Sequence, residues 1–92
     1  MSSPTAGTRP VIAHGMRLQW EPAQEAHVLL YPEGMVKLNG SAGAILERCD
    51  GVRTLEEIVA DLERAFGAAN LCEDVTAFVA LALERGWLEL RE

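Results

Sequence analysis

Met16, Leu18 and Trp20 alternate with Arg17, Gln19 and Glu21, the period of two expected of a strand with one buried face. Glu21-Pro22-Ala23-Gln24-Glu25 interrupts the alternation as a turn, because Pro22 fixes φ and has no amide to donate. Ala26 to Tyr31 resumes with β-branched, aliphatic and aromatic side chains. Pro32-Glu33-Gly34 then reads as a tight turn, and Met35-Val36-Lys37-Leu38 as the strand that completes a hairpin. The three segments predict an antiparallel meander. Past Leu38 the period changes to about 3.6. Ala42, Ile45, Leu46 and Cys49 share one helical face, with Asn39 or Ser41 as cap and Asp50-Gly51 as terminator. A second helix opens at Thr54, whose hydroxyl is spaced for a capping box with Glu57. Leu55, Ile58, Val59, Leu62 and Phe66 form its expected buried stripe, and Gly67 ends it. A third helix opens in a similar way at Asn70-Leu71-Cys72-Glu73 and runs to Arg85-Gly86, after which Trp87-Leu88-Glu89-Leu90 alternates again as a short closing strand.

Residues 1–15 are rich in Ser, Thr, Pro, Gly and Ala, with apolar patches only at Met1 and at Val11 to Ala13. They predict a flexible N-terminal arm, leaving residues 16–92 as a single domain. The fold class is α+β, a three-stranded antiparallel meander followed by three helices in a winged-helix-like arrangement.

Ninety-two residues with 49% apolar and 24% charged side chains suit one small globular core. The net charge of −6 and a pI near 4.8 oppose a nucleic-acid partner. The helices reinforce this. A recognition helix presents Arg or Lys near its N-terminus, whereas the second helix begins with Glu56 and Glu57 and the third with Glu73 and Asp74. No stretch approaches the roughly 18 apolar residues of a membrane span, and the N-terminus lacks the pattern of a signal peptide. Two cysteines without a disulfide framework fit a reducing compartment, so the expected location is cytoplasmic.

Candidate chemistry is sparse. His14 and His27 have no second ligand at metal-site spacing, so no metal and no cofactor are expected. Cys49 continues an apolar stripe and sits at a helix C-terminus, where the dipole raises a thiol pKa; it reads as a core residue and not as a nucleophile. The glycines assemble no phosphate loop, because Asn39-Gly40-Ser41-Ala42-Gly43 lacks the necessary Lys. Catalysis by this chain is not expected.

A binding surface is better supported. On the third helix Leu71, Val75, Phe78, Val79, Leu81, Ala82 and Leu83 cover an arc of roughly 200°, about twice what a helix needs to cover a core. The surplus has two readings: a helix clasped on two sides, within its domain or by a second copy, or one wall of a groove. In the second reading the last strand of the meander is an open edge that accepts an extended peptide as a further strand. Lys37 would guard that edge against unwanted pairing. Proline at Val36 would remove an edge donor if the Val36 amide points outward.

Leu29-Leu30-Tyr31-Pro32-Glu33-Gly34, Val36-x-Leu38-Asn39, Ala42-x-x-Ile45-Leu46, Cys49-Asp50-Gly51, Thr54-x-x-Glu57-Ile58 and Asp74-Val75-x-x-Phe78 closely resemble the coenzyme PQQ biosynthesis protein D family, over about Met16 to Gly86. The resemblance implies a non-catalytic recognition domain. It would bind the ribosomally made precursor peptide of pyrroloquinoline quinone (PQQ) and present it to a radical S-adenosylmethionine (SAM), iron-sulfur enzyme. It places the peptide cleft between the last strand of the meander (Met35, Val36, Lys37, Leu38) and the third helix (Asp74, Val75, Phe78, Val79, Ala82, Leu83). Tyr31, Pro32, Glu33, Asn39 and Gly51 have sufficient structural roles as turn, hairpin and cap residues. A recognition domain serving a different modified peptide would share these features, and self-association through the apolar arc or the arm stays open.

Overall fold

The computed structural model describes residues 4–91. Its elements in order are β1 (Arg9–Ile12), β2 (Arg17–Glu21), β3 (Ala26–Tyr31), β4 (Gly34–Lys37), α1 (Gly40–Glu47), α2 (Leu55–Phe66), α3 (Cys72–Glu84) and β5 (Leu88–Arg91). The expected meander is present as the antiparallel sheet β2-β3-β4. The expected closing strand is β5, which pairs antiparallel with β1 in a second sheet. The fold is α+β.

Each helix start has an identifiable cause. Asn39, not Ser41, caps α1: its Oδ1 accepts from the Ala42 amide at 2.7 Å. At α2 the Glu57 amide donates to Thr54 Oγ1 at 3.2 Å, while the Thr54 amide donates to Glu57 Oε1 at 2.8 Å, so the capping box forms as predicted. Gly67 ends α2 at φ 60°, and the Ala68 amide reaches back to the Glu63 carbonyl. Two expectations are corrected. Helix α1 stops at Glu47, before Asp50-Gly51, because the Arg48 and Cys49 amides tighten onto the Ile45 and Leu46 carbonyls. Helix α3 has no side-chain cap at Asn70; the Leu71 amide donates instead to the Glu63 carboxylate of α2 at 3.0 Å.

The flexible arm is also corrected for residues 9–12, which form β1; Met1 lies outside the described residues. The Ala13 amide donates to the Trp87 carbonyl. With the register Arg9↔Arg91 to Ile12↔Leu88, this turns the Pro10 nitrogen away from β5, so its missing donor costs no ladder bond. The Pro10 carbonyl points to the same side, away from β5, and accepts from the Gly51 amide. Just upstream, the Thr8 and Ala6 carbonyls accept from the Leu55 and Glu56 amides at 2.8 and 3.0 Å. First-turn amides of a helix have no partner within it, and here the N-terminal segment supplies two.

The core joins Leu29 and Leu38 of the meander side with Ile45 and Leu46 of α1, Leu55, Ile58 and Leu62 of α2, Val75, Val79 and Ala82 of α3, and Leu88 of β5. Gly43 lets α1 lie close to β3, because a Cβ there would come within 2.7 Å of His27 Nδ1. Arg48 closes the α1–α2 junction by donating from Nε to Asp61 and from Nη1 to the Ala44 carbonyl. The guanidinium beside it holds the Asp61 carboxyl below its ordinary pKa.

Deleting residues 1–13 removes β1 and the carbonyl partners of α2. Stability measured by urea unfolding is expected to fall by about 2 kcal/mol or more, given a net value near 1 kcal/mol per hydrogen bond; an arm without structure would leave it unchanged. A second expectation concerns acid. Folding lowers the Asp61 pKa, so its contribution is present above the ordinary aspartate value and is lost as pH falls through the folded value. Urea midpoints should decline from about pH 5 downward, and Asp61→Asn should flatten part of that decline.

Candidate peptide-binding cleft

In β3–β4 the Leu38 amide donates to the His27 carbonyl, and the register runs from Val28↔Lys37 to Tyr31↔Gly34. Antiparallel pairs alternate between bonded and non-bonded. Leu29↔Val36 is therefore a bonded pair, and the Val36 amide points inward to β3. Met35 and Lys37 occupy non-bonded positions, so their amides and carbonyls point outward from β4, the edge of its sheet. The conditional reading of Val36 as an edge donor is thus overturned. The outward groups are those of its two neighbours.

Two hollows lie near this strand. One, of about 430 Å³, is lined by Val36, the hairpin residues Tyr31 and Glu33, and Met16 ahead of β2, together with Arg85 and Trp87. The second, of about 250 Å³, runs from Asn39, just past β4, to Asp74, Val75 and Phe78, with Phe66 and Leu71 also at its wall. The start of β4 thus lies across from the end of α3, and its end across from the start of α3. The two elements run in opposite directions, with a separate hollow near each end. Arg85 sits over the Trp87 ring, 5.7 Å from its centroid, so a cation borders the first hollow and the Asp74 carboxylate the second.

The ten residues expected at the cleft divide by burial. Val75, Val79, Ala82 and Leu38 are at most 4% exposed and belong to the core cluster. Their apolar character is largely spent on packing within the domain. Val36, Phe78 and Leu83 are half-buried and pack against that cluster with part of their surface open. Met35, Lys37 and Asp74 are exposed. Three of the seven arc residues, Val75, Val79 and Ala82, are therefore explained by α3 being covered within its own chain.

Sequence reasoning assigned Phe66 to the buried stripe of α2, but it is 58% exposed. It occupies the last helical position before Gly67, where the chain turns away and nothing covers its ring. Leu71, Arg85 and Trp87 were likewise not among the expected cleft residues. Leu71 carried a signal in its place on the apolar arc. Arg85 and Trp87 had none, because the turn after α3 brings them beside the hairpin.

Among the described residues no three His, Cys, Asp or Glu side chains come close enough together to hold a metal ion. Cys49 is buried, its Sγ directed to the Ile45 carbonyl at 3.2 Å. Burial, with a smaller effect from Asp50, pushes its thiol up to about 12; the helix dipole invoked from sequence is not the leading cause. Gly51 is structural as expected, at φ 79° with the Arg91 guanidinium packed 3.3 Å from where a Cβ would stand.

The profile described as coenzyme PQQ synthesis protein D (PqqD) matches residues 26–88. The chain belongs to this family. A protein of Stutzerimonas stutzeri (strain A1501) named PqqA binding protein is 55% identical over 83 residues, 89% of this chain and 90% of that protein. One of the same name from Azotobacter vinelandii is 53% identical over 91 residues, 98% of this chain and 99% of that protein. The solution structure of the PqqD truncation of Methylobacterium extorquens PqqCD superposes with a TM-score of 0.68 at 32% identity, covering 87% of each chain. That domain is described as a functional, stand-alone recognition element for ribosomally synthesized and post-translationally modified peptides. The family resemblance and the α+β class expected from the sequence both hold.

The two thiols should separate cleanly in this fold. Iodoacetamide is expected to label exposed Cys72 in the native protein and Cys49 only after unfolding, as read by peptide mass mapping; native labelling of Cys49 would contradict its placement in the core.

Proposed function

We propose that this chain binds the ribosomally made precursor peptide of PQQ in a cleft between β4 and α3 and presents it to a radical SAM, iron-sulfur enzyme, without catalysing a step itself. The observation that carries the reading is the pair of outward-facing backbone positions at Met35 and Lys37 on the edge strand β4, with hollows near its two ends that are lined by the first half of α3 and by the turn after it. An extended peptide laid against β4 would exchange hydrogen bonds with the amides and carbonyls of both residues. The names of the relatives at 53–55% identity support the choice of ligand.

Main-chain pairing alone selects no sequence. Selection would come from the side chains that line the hollows. Phe78 and Leu71 offer apolar surface at one hollow, and Trp87 and Val36 at the other. Each bulky side chain fully buried there contributes about 1.5 to 3 kcal/mol, set against the cost of ordering a flexible peptide. The resulting affinity is on the order of micromolar or better. Asp74 and Arg85 at opposite ends favour a ligand carrying a cation toward the Asp74 end and an anion toward the Arg85 end. The buried residues Val75, Val79 and Ala82 act by holding α3 in place.

Proline at Met35 or at Lys37 removes one outward amide and leaves the β3 ladder intact. Either variant is expected to weaken binding of the precursor peptide about tenfold in isothermal titration calorimetry, with circular dichroism unchanged. Full affinity in both folded variants would eliminate strand addition at β4. Amide resonances of Met35, Lys37 and the first half of α3 should shift on titration with the peptide.

A further inference from the structure

Two exposed aromatic rings remain outside the strand-addition edge. Trp20 is 51% exposed on β2 and Phe66 58% exposed at the end of α2, yet both border one hollow of about 280 Å³ floored by His27 and Ala44. The Trp20 ring meets His27 edge-on, with centroids 5.1 Å apart, so its position is fixed while half its surface faces water. Glu25 and Glu47 also border the hollow, and among the described residues no Lys or Arg lines it. Glu47 Oε2 lies 3.6 Å from His27 Nε2. Arg48 is engaged with Asp61 and the Ala44 carbonyl and also reaches Glu47 Oε1 from Nη1 at 3.5 Å, so Glu47 is partly paired within the chain while Glu25 has no such contact among the described residues.

Exposed, positioned aromatic side chains surrounding an apolar floor are the usual anchors of a protein interface. β2 and β4 are opposite edges of the three-stranded sheet, so a peptide paired with β4 lies two strands away from Trp20. We infer that the Trp20–Phe66 hollow docks the modifying enzyme, through a surface that presents an apolar side chain flanked by Lys or Arg; this rests on the presentation reading above. The carboxylates supply charge complementarity to such a surface. A second copy of the chain would bring the same carboxylates and its own net charge of −6, and is disfavoured. The hollow shares Asn39 and Phe66 with the cleft hollow. An enzyme seated there would adjoin the end of β4 from which bound peptide emerges.

The test compares Trp20→Ala with the double charge reversal Glu25→Lys and Glu47→Lys, residues that do not line the cleft hollows. Each is titrated separately against the purified radical SAM enzyme and against the labelled precursor peptide. Each variant is expected to bind the enzyme at least about tenfold more weakly while keeping wild-type peptide affinity, and the charge reversal should also reduce the salt dependence of enzyme binding. Unchanged enzyme affinity in the folded variants overturns the assignment. A parallel loss of peptide affinity overturns it as well, by making the hollow an extension of the peptide cleft. If the wild-type domain itself fails to bind the enzyme, with or without peptide, presentation fails and this assignment with it, a result distinct from the first two.

Discussion

The inner face of α3 is the constraint on which the cleft depends. Val79 and Ala82 are 0% exposed, as are Ile58 on α2 and Leu29 on β3, and all four lie in one cluster. Shortening any of these side chains would open a void in a closely packed interior, and the helix would have room to shift. A shift of α3 would change the width of the cleft along β4 without touching any residue that lines its open surface. The residues that fix the geometry are therefore different from those placed to contact a ligand, although they alternate along a single helix.

Much of this was legible in the sequence because local and tertiary preferences agree. The Thr54/Glu57 spacing, the turn at Pro32-Glu33-Gly34 and the change of period after Leu38 each specify an element through chemistry within a few residues. What was not legible depends on distant partners. Arg9 to Ile12 carry no convincing strand pattern, and they become a strand because β5 and the start of α2 need hydrogen-bonding partners. Asn70 resembles a cap by type, but the Glu63 carboxylate of the preceding helix takes the amide of the next residue. For the candidate cleft, the sequence offered β4 and α3 as its two walls. It could not divide the apolar arc into packed and open portions, since Val75 and Phe78 are equally apolar and differ only in what α2 and α1 leave uncovered. Nor could it say which amides of β4 face outward, because that parity is set by the pairing register.

The acidic helix starts serve two physical ends at once. Glu56 and Glu57 in the first turn of α2, and Glu73 and Asp74 in that of α3, lie where the helix dipole favours negative charge. They stabilise the elements that bear them. The same carboxylates occupy the helix ends with which a related architecture would approach a phosphate backbone, so a helix-stabilising substitution pattern also sets the class of partner.

The pairing of β1 with β5 has a consequence for how the chain acquires its shape. Arg9 lies opposite Arg91, so the first and last strands are partners and everything between them is one long loop. The meander and the individual helices rely on near neighbours in sequence, whereas this ladder forms only after everything between Ile12 and Leu88 has been synthesised. During translation the Leu55 and Glu56 amides can already find the Thr8 and Ala6 carbonyls, while β1 waits for its strand partner. The closing ladder also brings the two ends of the domain to one place. A tether on either end would then start from the same side of the molecule, and order within a fusion would matter less than linker length.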